Sequence, residues 1–158
     1  MTFSVRPATE LDAPSVAGLS KEMCDYLRAL GDKTDFRSSE ETFLRDGFGP
    51  DAAFSSLVAE HDGRVIGYLL YHFGYDADYA TRIIHVVDLY VSQAHRARGA
   101  GRALMQHVAD IGRRSAVADL VWSVYKPNKL AHGFYARLGA QYIDDLDYMY
   151  LEISPTPS

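Results

Sequence analysis

Ten consecutive residues, Arg82–Val91 (RIIHVVDLYV), are β-branched or apolar at both parities. A strand that alternates apolar and polar side chains can leave one face in water, but one that is apolar on both faces needs cover on both. The stretch is therefore expected to be a central strand with layers packed above and below. A glycine- and arginine-rich turn follows it, residues 92–102 (SQAHRARGAGR). A helical pattern comes next, from about Gly99 to Arg114, with Leu104, Val108 and Ile111 on its inner side.

The remaining elements fit around this strand. Phe3–Arg6 reads as a first strand, and a helix capped by Thr9 or Asp12 carries Val16, Leu19, Met23, Tyr26, Leu27 and Leu30 at helical spacing up to Gly31. Ser39 opens a short helix that Gly47, Gly49 and Pro50 stop. Phe54–Glu60 and Val65–Phe73 are strand-like, and the Asp62-Gly63 between them is a hairpin signal. Leu120–Tyr125 predicts another strand, Asn128–Leu138 a helix ended by Gly139, and Gln141–Ile153 a final strand. The order β-α-α-β-β-β-α-β-α-β is an α/β pattern with an antiparallel meander in the middle. At roughly 150 residues per domain, 158 residues make one domain, expected over 1–153 with a loose tail at 154–158.

Composition excludes several classes of function. Lys and Arg number 16 and Asp and Glu 21, a net charge of -5, which disfavours nucleic acid as the main partner. The single cysteine, Cys24, excludes an internal disulfide and fits a reducing compartment. The opening residues do not read as a secretory signal, and no apolar run approaches a membrane span. The chain is expected to be cytoplasmic. Its six histidines show no paired spacing or Cys/carboxylate set, so no metal site is expected. Charge is unevenly spread: residues 94–137 hold eight bases against two acids, and the remainder eight against nineteen. One segment suits an anionic ligand and the rest a cationic one.

The turn after the central strand is the informative segment. Gly99 and Gly101 let backbone N–H groups approach a ligand, and the helix that follows adds unpaired donors and partial positive charge. Arg96, Arg98 and Arg102 can close over phosphate oxygens. The third glycine of GxGxxG is replaced by Leu104, and no Gly-Lys-Ser/Thr is present, so a P-loop is excluded. A tight turn bearing solvated arginines would look the same from this segment alone.

Arg96-x-x-Gly99-x-Gly101, followed about 30 residues later by Asn128-x-x-Ala131-x-x-Phe134-Tyr135-x-x-x-Gly139, resembles the paired motifs of the GNAT superfamily of acetyl-CoA-dependent N-acetyltransferases. The resemblance implies the GNAT (acyl-CoA N-acyltransferase) fold: a mixed, mostly antiparallel, twisted sheet with splayed central strands, flanked by helices. It also implies acetyl-CoA as co-substrate, contacted by Leu89, Tyr90, Val91, Arg96, Ala97, Arg98, Gly99, Ala100, Gly101, Arg102, Asn128, Ala131, Phe134 and Tyr135. Backbone N–H of Leu89 to Val91 would polarise the thioester carbonyl, and Tyr135 would protonate the departing thiolate. Gly67–Asp76, Asp88–Val91 and Trp122 look most like the diamine (spermidine/spermine) and thialysine acetyltransferase branch, in which homodimers are common. That branch usually carries Glu-Asp at the end of the central strand, whereas this chain has Val87-Asp88.

The residue chemistry is compatible with these roles. A phenol keeps its proton at neutral pH, so Tyr135 can act as an acid or simply fill an amphipathic helix. Asp88, in an apolar strand, must be paired or have a raised pKa; it can be a base, a cation site or a structural group. Simple alternation puts His85 on the opposite face from Asp88; a histidine in this strand can relay the amine's proton near pH 7 or be a satisfied core or rim residue, and His72 is similar. Glu22, Asp25 and Tyr71 are candidates to hold a cationic acceptor. The expected reaction is acetyl transfer to a primary amine of a small cationic acceptor, polyamine-like or lysine-like, by direct attack in a ternary complex. An aminoglycoside acetyltransferase and a non-catalytic CoA-binding sensor are the alternatives.

Overall fold

The computed structural model describes residues 2–154, so the expected tail lies outside the described residues except for Ser154. Contacts divide the chain into two units, Met1–Asn128 and Lys129–Ser158.

In the first unit, β4 (Thr81–Val91) is interior to a five-stranded sheet, as its two-sided apolar character requires. The strand order is β1 (Ser4–Pro7), β2 (Ser55–His61), β3 (Arg64–Asp76), β4, β5 (Val117–Val121). The first four pair antiparallel in sequence, and β5 joins β4 in parallel. The β2–β3 hairpin turns at Asp62 and Gly63, with φ of 50° and 72°, the left-handed pair that a two-residue turn between twisted strands needs. β3 and β4 outrun the strand lengths expected from sequence, and β5 begins three residues earlier than expected.

Helices cover both sheet faces. α1 (Ala13–Ala29) and α2 (Glu40–Gly47) supply Ala13, Val16, Leu19 and Phe43 to a core with Val58, Tyr68 and Tyr90. α2 starts where expected, because Ser39 accepts the Thr42 N–H while Thr42 accepts the Ser39 N–H. On the other face α3 (Ala100–Arg114) contributes the fully buried Leu104 and Val108. It lies close to the sheet at Gly112, where a Cβ would sit 3.3 Å from Val117 and 3.4 Å from Ile84. Arg6 ties the sheet edge to the turn before α1. It donates to both Asp12 oxygens at 2.8 and 2.9 Å and to Glu60 on β2, which holds the Asp12 carboxyl below the usual carboxylate range.

The second unit holds α4 (Lys129–Arg137), which ends before Gly139 at φ 88°. The final strand expected over Gln141–Ile153 is not formed, because no strand is present among the described residues of this unit. A β-rich sequence becomes a strand only against a neighbour it can pair with, and this unit by itself offers none. Its apolar side chains are accordingly exposed, Met149 at 92% and Tyr150 at 95%.

Candidate functional site

A bulge in β4 decides what the site contains. Leu69 pairs with Leu89 and Leu70 with Asp88, but Tyr71 pairs with Val86, so Val87 has no opposite residue. Along β3, Tyr68, Leu70 and His72 point to one face. Their partners Tyr90, Asp88 and His85 therefore share that face, the α1 side. This corrects the expectation for His85: alternation alone sets it opposite Asp88, and the extra residue Val87 reverses the parity. Tyr71, expected near the acceptor, is buried on the other face with its ring edge-on to Phe73.

β4 also separates from its parallel neighbour. Its pairing with β5 runs only from Arg82 to His85, so residues 86–91 have no β5 partner. This is the splay that the resemblance implied. It leaves the last residues of β4 open on one edge. The Leu89 N–H is directed at the Asp88 carboxylate.

Asp88 is held by its surroundings. The Tyr68 hydroxyl donates to Asp88 Oδ2 at 2.7 Å. Burial pushes the Asp88 carboxyl up, while the bonds from Tyr68 and Leu89 act in the opposite direction. Burial and the neighbouring Asp88 charge push the Tyr68 phenol well up, so it remains a donor. Tyr68 has no polar environment visible from sequence; only the β3–β4 register reveals its role.

The turn after β4 has a backbone geometry that can hold an anion. One 3-10 turn, Gln93–His95, leads into Ala97 at φ 60° and Gly99 at φ 99°. Left-handed residues just before a helix aim successive N–H groups into one concavity. Ala97 is a non-glycine residue in that region, a local strain of the kind that collects at functional sites. Gly99 is the N-cap of α3, whose first N–H groups at Ala100, Gly101 and Arg102 have no intrahelical acceptor. Arg98 and Arg102 are exposed beside them.

Arg96 has a different place. Its Nε donates to the Val91 carbonyl at 3.1 Å, and its guanidinium lies 4.8 Å from the Tyr26 ring centroid and 5.0 Å from that of Tyr90. It is a strut between α1 and the end of β4. Glu22 belongs to the same strut, accepting the Tyr90 hydroxyl at 3.0 Å and the Gln93 N–H at 2.8 Å. Burial and the bond to Glu22 push the Tyr90 phenol up to about 12. Tyr26 donates to Asn128 Oδ1 at 3.3 Å, so the second motif's asparagine is reached from α1. Asp25 is exposed and engaged with Lys21 at 2.7 Å and Arg28 at 3.6 Å. Ala131, Phe134 and Tyr135 lie on α4 of the second unit, with the last two rings edge-on at 5.1 Å. Among the described residues no group of three or more His, Cys, Asp or Glu could hold a metal ion.

The model of the Acetyltransferase (GNAT) family matches residues 19–140. The chain belongs to that family. It is accordingly an N-acetyltransferase, of a family that uses acetyl-CoA as co-substrate. The cattle (Bos taurus) thialysine N-epsilon-acetyltransferase is 32% identical over 145 residues, covering 87% of this chain and 83% of that protein. The human (Homo sapiens) spermidine/spermine N(1)-acetyltransferase-like protein 1 is 26% identical over 87% of this chain and 20% of its own length. In fold, the chain is similar to a ribosomal-protein-alanine N-acetyltransferase from Brucella melitensis, at a TM-score of 0.77 and 19% identity, over 96% of this chain and all of that one (100%). No helix among the described residues of this GNAT chain is long and apolar enough to cross a membrane.

Proposed function

We propose that this GNAT protein moves an acetyl group from acetyl-CoA to a primary amine of a small cationic acceptor, lysine-like or polyamine-like. The amine attacks directly in a ternary complex, within one catalytic domain spanning 1–153. The observation that carries the reading is the pairing of an anion cradle at Ala97–Arg102 with a half-buried carboxylate, Asp88, on the strand leading into it. Similarity to a thialysine acetyltransferase over most of both chains supports the choice of acceptor.

The chain's residues divide the work. Backbone N–H groups at residues 97–102, with Arg98 and Arg102, bind the pyrophosphate. The open edge of β4 at Leu89–Val91 orients the thioester carbonyl. Asp88 attracts the cationic amine into an apolar setting. Glu22 and Arg96 fix the end of β4 and the turn in place. Tyr135 supplies a proton to the departing thiolate. Cys24 is buried, and burial pushes its thiol up, which opposes an acyl-enzyme route through it.

The test is thiol release from acetyl-CoA with lysine, thialysine, spermidine, putrescine, an aminoglycoside and a short peptide, for wild type and Tyr135→Phe. One small amine reacts, and Tyr135→Phe loses about 10²-fold in rate. Binding of acetyl-CoA with no acceptor used would instead indicate a sensor domain.

A further inference from the structure

We propose that His85 is the group that takes the proton from the acceptor's ammonium, through water, and that His72 holds it in the tautomer that can do so. This rests on the acetyltransferase reading and goes beyond it by naming the base.

The bulge at Val87 supplies the first observation, since it brings His85 onto the face of Asp88. Hydrogen-bond direction supplies the second. His72 Nδ1 lies 3.1 Å from the Phe73 carbonyl oxygen, and a carbonyl only accepts. His72 Nδ1 therefore carries hydrogen, and in the neutral ring its Nε2 bears a lone pair. That Nε2 lies 3.2 Å from His85 Nδ1, so His85 Nδ1 must donate. The proton of neutral His85 is thus fixed on Nδ1, and its Nε2 is left as the lone pair. The imidazoles pack at 5.0 Å between centroids, which restrains the ring that must receive a proton. Fixing a histidine's tautomer through its other nitrogen is the usual way of making one a defined base.

Asp88 is a poor competitor for the task. Its carboxylate already accepts from Tyr68 and from Leu89 N–H, which commits lone pairs that a proton would need, even though burial pushes its pKa up. His85 is half-buried, while His72 is exposed and borders an open depression of about 420 Å³, also lined by Ala52, Ala53, Phe54, Ser55 and Phe73. The depression thus reaches the partner of His85 rather than His85 itself.

In that step one N–H bond of the ammonium breaks and its electron pair stays on nitrogen as the nucleophile. One N–H bond forms at His85 Nε2. The resulting imidazolium keeps its Nδ1–H on the His72 lone pair and releases one proton to water between turnovers. Ammonium and thioester thus give amide, thiol and one released proton.

Burial first, and His72 second, lower the His85 pKa from its ordinary 6.5, so the ring is neutral at pH 7. The other titratable groups around this face are Asp88 and Tyr90 on β4, Tyr68 on β3, Asp119 on β5, in register with Ile83, and Glu22, Cys24 and Arg28 on α1.

The experiment is the pH profile of kcat/KM for the best amine, with wild type, His85→Gln and His72→Gln, alongside acetyl-CoA affinity and thermal unfolding. Wild type shows an acidic limb below pH 6.5, with kcat/KM rising as His85 loses its proton. His85→Gln loses about 10²-fold at pH 7, lacks that limb and binds acetyl-CoA as wild type does. His72→Gln moves the limb, which a merely structural role would not do. A His85→Gln enzyme with the wild-type limb and rate overturns the proposal and leaves the acetyltransferase reading standing. Nitrogen-15 NMR of the imidazoles is an independent test that needs no substrate. Nδ1–H tautomers at both His72 and His85 support the arrangement, and Nε2–H at His85 overturns it. A wild type that binds acetyl-CoA and acetylates no amine defeats the parent reading instead.

Discussion

At Asp88, burial and two hydrogen bonds pull in opposite directions, and burial is the larger influence. The Tyr68 hydroxyl is the stronger of the two opposing bonds. Removing it with Tyr68→Phe leaves the carboxyl with the Leu89 N–H alone, so its pKa rises further, and stability falls by about 1–3 kcal/mol. The sign with pH follows from linkage. A carboxyl raised in the folded state weighs against folding once it ionises. The cost of Tyr68→Phe therefore grows as pH increases through the Asp88 pKa and shrinks below it. Urea unfolding at several pH values measures this, and a pH-independent difference would contradict it. Single residues are only partly legible in the sequence. Asp88 stands out as an acid in an apolar strand, and Glu22 as one acid among several at the end of a helix. Tyr68, Tyr26 and the His72–His85 pair do not stand out, because their partners are 20, 102 and 13 residues away and depend on strand register.

At the scale of elements, the turn from β4 to α3 is where backbone conformation carries the chemistry. Gly99 at φ 99° is open to solvent on the side a Cβ would occupy, with only Phe3 at 3.9 Å. The objection to a side chain there is therefore backbone strain rather than collision. Gly99→Ala is expected to cost about 1–2 kcal/mol and to weaken acetyl-CoA binding as the N–H groups turn away. Ala97→Gly, at φ 60°, is expected to be neutral or stabilising for the same reason. Calorimetric binding and melting temperatures of the two variants check the pair, and equal effects of both would count against a strained cradle. The glycines and the following helix announce this turn in the sequence. The β4 bulge does not announce itself, since Val87 reads like any other β-branched residue in RIIHVVDLYV. Arg96 reads in the sequence as a phosphate ligand beside a glycine turn, and its packing against the Tyr26 and Tyr90 rings is a second role that only the fold reveals.

For the whole molecule, the charge division in the sequence follows the turn and α3 but not α1. The basic segment holds the cradle and α3, whereas α1 is neutral, its Glu22 and Asp25 balanced by Lys21 and Arg28. The element order from β1 to α4 is legible because each element has its own periodicity and its own stop. The last strand is not, because strand composition cannot supply a pairing partner. The resemblance to the diamine and thialysine acetyltransferase branch is what carries the proposal of a homodimer. Sedimentation equilibrium should give twice 17.6 kDa, and a monomer at micromolar concentration would contradict that. Acetyl transfer to a small cationic amine can be tested in one tube. Acetyl-CoA and enzyme are mixed with equal amounts of thialysine, lysine, spermidine, an aminoglycoside and a peptide, and the products are read by mass spectrometry. A lysine-like or polyamine-like amine is expected to be acetylated first and the peptide not at all. Acetylation of the peptide or the aminoglycoside ahead of every small amine would contradict the proposed acceptor class.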